Sequence, residues 1–204
     1  YLHFSADIKN TVCSAKAILI ADQSTEKVMP KSRKYIRLLE TAYNTDRNTV
    51  KTYNEKSPKD KLNLLWVGGI WPRKGLKLLI DALGSSDFKD YDLNIIGDGN
   101  DKSNCIALVK KYGLEDKIHF LGKMSYEKVN MQYDTADVFI FTSLRDTSGN
   151  VVLEAMSHGL PVIALDHHGV GEIVTNETGY KITPKNYNQI MNDIIKGIQM
   201  YKKR

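Results

Sequence analysis

The sequence has little of what marks a secreted, membrane-spanning or metal-bound protein. Two cysteines occur in 204 residues, Cys13 and Cys105, and their wide separation fits neither a zinc site nor a disulfide framework. No run of about eighteen apolar residues is present, and the first residues lack the charged and then apolar layout of a signal peptide. These absences predict a soluble, intracellular protein whose cysteines are small core residues.

The chain does not begin with methionine, and its first residues have the pattern of the middle of a helix. We therefore expect a cut end and a missing N-terminal portion. With 204 residues, of which 42% are hydrophobic, the chain can bury one substantial core. One domain with extra segments is the natural count.

The charge is moderately basic, with 29 Lys and Arg against 24 Asp and Glu, a net charge of +5. Nucleic acid, an anionic membrane or a phosphate-bearing small molecule could each suit such a balance. The basic residues are dispersed, however, and no basic face interleaved with aromatic residues is visible. We therefore expect no nucleic-acid partner and keep a basic nucleic-acid-binding module only as a disfavoured alternative.

From Lys61 onward, apolar runs alternate with amphipathic stretches, which is typical of βα units that build a parallel sheet. The predicted strands are short, apolar and rich in β-branched or aromatic residues, and they cover residues 62–67, 93–96, 118–121, 138–141 and 161–165. The fold predicted is α/β, a Rossmann-like parallel sheet flanked by helices.

The first sixty residues have a different pattern, with short apolar strands around residues 17–21 and 35–39 and long polar stretches. Their apolar content is thin for an independent domain. We divide the chain into a lead-in segment of residues 1–60 from a truncated N-terminal half, a Rossmann-like domain of residues 61–185, and a C-terminal helix of residues 186–204 that docks by one face.

A glycine-rich loop follows the first predicted strand of the domain. It contains Gly68 and Gly69 and then two adjacent cations, Arg73 and Lys74. Glycines let the backbone approach a ligand, and a helix N-terminus favours an anion, so this loop suits a diphosphate. The alternative is an ordinary βα loop with an exposed Arg-Lys pair, since the loop is neither a dinucleotide fingerprint nor a Walker A loop.

A second glycine turn, with Gly97 and Gly99, follows the next predicted strand. We consider these glycines candidates for donor binding. Alone they are weak evidence, because a tight turn uses the same residues.

Two carboxylates flank the start of a predicted helix. Asp146 lies on a loop after a strand, and Glu154 lies eight positions later, about one turn inside the helix. A carboxylate accepts two hydrogen bonds from a vicinal diol, so the pair could hold two sugars on either side of a phosphate bound by the helix amides. Four residues open this helix: Ser148, Gly149, Asn150 and Val151. For Glu154 alone, a surface glutamate is the alternative.

This stretch resembles the Glu-x7-Glu motif of retaining GT-B glycosyltransferases of group 1, family 4-like, followed by their Glu-Ala-Met-x-x-Gly-Leu-Pro-Val-Ile-Ala run. The resemblance extends from Leu62 to about Ile182. The matching segments, in the family's order, are residues 73–75, 96–99, 120–122, 142–144, 154–164 and 169–174.

The resemblance implies the C-terminal, donor-binding half of a GT-B fold, acting against a separate acceptor-binding N-terminal domain. Arg73 and Lys74 would stabilise the leaving diphosphate, Asp146 would hold donor-sugar hydroxyls, and Glu154 would hold the ribose. Backbone groups from Gly122 to Met124 would face the base, and amides at Gly149 to Val151 would contact sugar and phosphates.

The resemblance implies a UDP-sugar or GDP-sugar as donor, with neither cofactor nor metal required. The implied reaction is hexose transfer to a glycan, lipid or other acceptor, as in polysaccharide biosynthesis. The isolated fragment is expected to be inactive. We expect a cytoplasmic location, with peripheral association at the inner face of a membrane open to the full-length protein.

Two departures from the family pattern stand out. Family members commonly carry arginine where this chain has Gly69, so Arg73 is the candidate for the second cation. The first acidic position is Asp146 rather than glutamate, one methylene shorter, which could shift the donor-sugar preference.

Two further interpretations stay open. A sugar-nucleotide epimerase of GT-B architecture would share the fold, although the Asp146 and Glu154 motif with its Glu-Ala-Met continuation disfavours it. The adjacent histidines His167 and His168 could bind a metal or phosphate, but no third ligand lies at recognisable spacing.

Overall fold

The computed structural model describes residues 14–15, 17–20, 35–37, 60–146 and 149–203. Cys13, Thr147, Ser148 and most of the lead-in segment lie outside these residues. Within the lead-in, β1 (Ile18–Ile20) and β2 (Tyr35–Arg37) pair in parallel, in agreement with the two strands predicted there.

Six parallel strands form the main sheet, and their bounds are β3 (Leu62–Val67), β4 (Tyr91–Ile96), β5 (Ile118–Gly122), β6 (Val138–Phe141), β7 (Val162–Leu165) and β8 (Gly179–Ile182). Their spatial order is β5-β4-β3-β6-β7-β8. The order reverses between β3 and β6, and in open α/β sheets ligands bind at the carboxyl edge beside such a switch point.

Within residues 60–146 and 149–203, a 3-10 turn (Pro72–Lys74) is followed by six helices, which are α1 (Leu76–Gly84), α2 (Lys102–Tyr112), α3 (Tyr126–Thr135), α4 (Asn150–Ser157), α5 (His168–Ile173) and α6 (Tyr187–Lys202). Helices α1, α2 and α6 bury apolar residues in one core cluster, and α3, α4 and α5 bury theirs in a second. Neighbouring residues of β3 divide between the clusters, Leu64 and Trp66 in the first and Leu65 in the second. Because side chains alternate across a strand, the two clusters lie on opposite faces of the sheet.

The predicted α/β fold with a Rossmann-like parallel sheet is confirmed. The terminal helix packs by one face, with Ile190, Ile194 and Ile198 buried against the first core. Strand β8, at the edge of the sheet, was not predicted from the sequence. Within the described ranges, no helix is long and apolar enough to cross a membrane.

Asp81 joins three helices on the first face. It is 6% exposed and accepts hydrogen bonds from Lys77 of its own helix, from Tyr112 Oη of α2 at 3.0 Å, and from Tyr187 Oη of α6. Burial raises the pKa of the Asp81 carboxyl, but the hydrogen bonds from Lys77, Tyr187 and Tyr112 outweigh burial and leave it below its ordinary value. The carboxylate is thus a charged link between the helices.

Candidate functional site

The loop after β3 is hydrogen-bonded to the loop after β6 at the carboxyl edge of the sheet. Leu144 donates its amide to the carbonyl of Arg73 at 2.8 Å, and Thr142 Oγ1 donates to the carbonyl of Lys74 at 3.2 Å. Thr142 Oγ1 also accepts from the buried indole of Trp66 at 3.2 Å. The two loops are therefore held together at the carboxyl edge of the sheet.

Gly75 allows this close contact. Its φ is 66°, in the left-handed region, and a Cβ at this position would lie 2.2 Å from the Thr142 carbonyl oxygen. A larger residue would push the two loops apart, so the glycine fixes where Lys74 stands relative to the end of β6.

Lys74 and Asp146, predicted separately from two motifs, form an ion pair between Nζ and Oδ2. The two side chains are only 19% and 12% exposed. The other carboxylate oxygen of Asp146 accepts the amide of Gly149 at 3.2 Å, and Gly149 is the N-cap residue that directly precedes α4. Asp146 thus links a cation to the N-terminus of a helix.

Arg73 lies beside this pair and makes a different contact. Its side chain is exposed, and its guanidinium donates to the carbonyl of Arg145 at 3.3 Å. At the position where the family commonly has arginine, the indole of Trp71 covers Gly69, with Nε1 2.4 Å from the place a Cβ would occupy. Trp71 is nevertheless 43% exposed.

Glu154 lies on α4, the helix that Gly149 caps, and it is half-buried. Its Oε2 accepts a hydrogen bond from the hydroxyl of Tyr133 at 3.1 Å. Tyr133 belongs to α3, so a neighbouring helix fixes this carboxylate. The link from Glu154 to Lys74 runs through the first turn of α4, Gly149 and Asp146.

The glycines after β4 make room for the loop after β3. A Cβ on Gly97, whose φ is 139°, would lie 1.8 Å from the Gly68 carbonyl oxygen, and a Cβ on Gly99 would lie 2.2 Å from that of Ile70. The fold itself requires these two small residues, whether or not a ligand also approaches them.

The remaining predicted residues surround the same edge. Gly122 ends β5 with φ 74°, and a Cβ there would meet no described atom within 4 Å. Met124 is half-buried against the second core cluster. Asn150 and Val151 form the first turn of α4, whereas Ser148 lies outside the described residues.

His167 lies just after the carboxyl end of β7. Burial lowers the pKa of its imidazole because it disfavours the charged form, and the neighbouring His168 lowers it further. The two rings meet edge to face, with centroids 4.8 Å apart. Within the described ranges, no group of three His, Cys, Asp or Glu side chains is arranged for a metal ion.

Sequence reasoning missed two residues that hold the site in place, Thr142 and Tyr133. Thr142 lies within a recognised motif, but its hydrogen-bond partners, Lys74 and Trp66, are 68 and 76 positions earlier in the chain. Tyr133 lies in an amphipathic stretch whose pattern indicates core packing. No sequence signal marks either side chain as a hydrogen-bond partner of the site.

The family model for glycosyl transferases group 1 matches residues 49–204. Among curated proteins, the chain is 25% identical over 133 residues to the phosphatidylinositol N-acetylglucosaminyltransferase GPI3 subunit of Saccharomyces cerevisiae, a match that covers 64% of this chain and 29% of that protein. It is 28% identical over 144 residues to the putative colanic acid biosynthesis glycosyltransferase WcaL of Salmonella typhimurium, which covers 67% of this chain and 36% of that protein. The chain therefore spans well under half the length of these relatives.

Two solved structures resemble the fold. The apo form of the lipopolysaccharide outer core galactosyltransferase WaaB superposes with a TM-score of 0.74 at 22% identity, covering 97% of this chain and 58% of that one. Anabaena HepE, in complex with UDP and glucose, gives 0.69 at 22% identity, covering 98% and 60%. The fold is thus shared with part of larger glycosyltransferases, as expected for a GT-B half. With the family model matched over most of its length, this chain belongs to the group 1 glycosyl transferases.

Proposed function

We propose that this chain binds a nucleoside-diphosphate sugar, a UDP-sugar or a GDP-sugar, as the donor-binding half of a retaining glycosyltransferase that transfers a hexose. The observation that carries the proposal is that Asp146 contacts both Lys74 and the amide of Gly149, the N-cap of α4, at the switch point of the sheet. Ligands of open α/β sheets bind beside such a switch point.

Positively charged groups form the part of the site that we assign to the phosphates. Lys74 and Arg73 face the growing negative charge on the diphosphate as the bond to the sugar breaks, and the amides from Gly149 to Val151 add the positive end of the helix dipole. These groups stabilise the transition state more than the ground state, because the charge is largest there. The proposal assigns this role to the chain's own residues and requires no metal ion.

The two carboxylates take the two sugars. Asp146 releases Lys74 to the diphosphate and accepts hydrogen bonds from donor-sugar hydroxyls, while Glu154 accepts from the ribose. The base lies towards Gly122 and Met124, where the end of β5 offers open space and backbone groups. The Lys74–Asp146 ion pair is mostly buried, so breaking it is costly unless both charged groups gain new partners. A ligand that offers phosphate to Lys74 and hydroxyls to Asp146 meets this condition.

The similar proteins support this assignment. The Anabaena structure contains UDP and glucose, and the Salmonella protein is named for colanic acid biosynthesis. By analogy, we propose a separate acceptor-binding domain and a glycan or lipid acceptor used in polysaccharide synthesis. A cytoplasmic location, at the inner face of a membrane where the acceptor is a lipid, follows from the same proposal.

Isothermal titration calorimetry with UDP and GDP tests the proposal. The wild type should bind one of them, and Glu154→Ala should weaken nucleotide binding about tenfold through the lost charge-assisted hydrogen bonds. Lys74→Ala should weaken binding of the diphosphate far more than that of the nucleoside. Glu177→Ala and Lys110→Ala, exposed residues on a distant turn and on α2, serve as controls.

Absence of binding by the wild type to either diphosphate would contradict the proposed function. Equal binding by Glu154→Ala would remove Glu154 from the ribose. An equal loss of nucleoside and diphosphate affinity in Lys74→Ala would remove Lys74 from the phosphates.

A further inference from the structure

Tyr133 makes an unusual contact for a core residue. Its side chain is fully buried, yet its hydroxyl reaches Glu154 Oε2 at 3.1 Å and the Val151 carbonyl at 3.4 Å. A buried hydroxyl without a partner is costly, so this hydroxyl must donate to α4. The shorter contact is to the carboxylate, and hydrogen bonds to a charged acceptor are the stronger kind.

The ring that carries the hydroxyl is held on two sides. Phe139 of β6 meets it edge to face at 5.7 Å, and His158 stacks on it at 5.4 Å. His158 is itself fixed by Asp134, with Nδ1 and Oδ1 2.7 Å apart. The hydroxyl therefore has a defined position before any ligand arrives.

We infer that Tyr133 is the positioning residue for Glu154: it holds one carboxylate oxygen and directs the other towards the ribose hydroxyls. The inference rests on the proposed function, because it takes Glu154 as the ribose ligand. Oε2 is the oxygen that Tyr133 bonds, so Oε1 is the one available for a diol. Fixing the carboxylate in advance removes the entropy cost of ordering a long side chain at the moment of binding.

Tyr133→Phe tests this role, because it removes the hydroxyl and keeps the ring. Tyr112→Phe is the matched control, since it removes a tyrosine hydroxyl from another carboxylate, Asp81, on the opposite face of the sheet. Calorimetry should compare three ligands: the nucleoside diphosphate that the wild type binds best, its 2′,3′-dideoxy counterpart, and pyrophosphate.

Tyr133→Phe should weaken the ribonucleotide about fivefold and leave the dideoxy compound and pyrophosphate within about twofold of the wild type. Tyr112→Phe should change none of the three. In a Glu154→Ala background, Tyr133→Phe should have no further effect on the ribonucleotide. Tyr133→4-aminophenylalanine restores a donor in the same place and should recover part of the affinity, and it also serves if the phenylalanine variant does not fold.

The outcomes separate the inference from the proposed function. If the wild type binds no nucleoside diphosphate, the proposed function fails. If the wild type binds and Glu154→Ala weakens only the ribonucleotide, while Tyr133→Phe matches the wild type, the inference alone is wrong. A uniform loss for all three ligands in Tyr133→Phe would show a purely structural role and would also overturn it.

Discussion

Replacing Asp146 by asparagine should strengthen the binding of a nucleoside diphosphate and remove the advantage of the sugar. In the unliganded protein the Asp146 carboxylate neutralises Lys74, the cation that we assign to the phosphates. Asparagine has nearly the same shape and can still accept the Gly149 amide that now bonds Oδ1. The substitution therefore removes one charge and little else.

The size of the effect follows from the charges. At an effective dielectric constant of about 20, two unit charges roughly 6 Å apart interact by about 3 kcal/mol. Asp146 and Lys74 are 12% and 19% exposed, and counter-ions screen part of the repulsion between Asp146 and a bound phosphate. A net gain of about 1 kcal/mol remains, which corresponds to a Kd about fivefold lower.

Calorimetry with the nucleoside diphosphate and its sugar derivative measures both effects. For Asp146→Asn we expect tighter binding of the diphosphate and no tighter binding of the nucleotide sugar, since the neutral amide accepts more weakly from sugar hydroxyls. Asp92→Asn is the control, because it breaks the Lys61–Asp92 pair, 3.4 Å apart, near the amino ends of β3 and β4. Weaker binding of the diphosphate by Asp146→Asn would refute the assignment of Lys74 to the phosphates.

Gly97→Ala should lower the free energy of unfolding, measured in urea, by about 2 to 4 kcal/mol, because its Cβ would lie 1.8 Å from a backbone oxygen. The control Gly113→Ala, at a glycine with φ 64° and no described atom within 4 Å of the added Cβ, should cost only about 1 kcal/mol. Equal losses in the two variants would contradict the steric reason. Asp81→Asn should lower stability at pH 7 by about 2 kcal/mol. The pKa of Asp81 is lower in the folded than in the unfolded state, so its contribution to stability is present above about pH 4 and fades as the pH falls through the folded pKa. The difference in unfolding free energy between wild type and Asp81→Asn should therefore be smaller at pH 3 than at pH 7. The same difference at both pH values would refute the linkage. Nucleotide binding should alter the fluorescence of Trp71, which is 43% exposed, rather than that of buried Trp66, and a full response in Trp71→Phe would show that the ligand does not reach this loop.

The sheet could be predicted from the sequence because its central strands are buried on both faces. Strand β6 is buried at every position, and such a strand gives a continuous apolar run with clear ends. Strand β8 was missed because it lies at the edge of the described sheet, next to β7, and its two central residues are half-buried. A four-residue strand with a polar lysine in it resembles a loop in sequence.

The candidate site was predictable where one segment contributes several groups, and not where distant segments meet. Asp146, Gly149 and Glu154 belong to one motif, and the structure keeps them on one loop and one helix. The partner that fixes Glu154, by contrast, is Tyr133, 21 positions earlier and on another helix. Its role depends on how α3 packs beside α4, which no local pattern specifies.

Gly97 and Gly99 have a structural role in addition to the ligand-binding role predicted from the sequence. Gly97 and Gly99 were candidates for donor binding because small residues let a ligand approach. The structure shows that they already let another loop approach, since their missing side chains make room for the backbone of Gly68 and Ile70. These close contacts set the position of the loop that carries Lys74 relative to the end of β4. Under the proposed function, the benefit of these two glycines to a ligand is therefore indirect, and Gly122, where a Cβ would meet no described atom within 4 Å, is the glycine that we assign to the base.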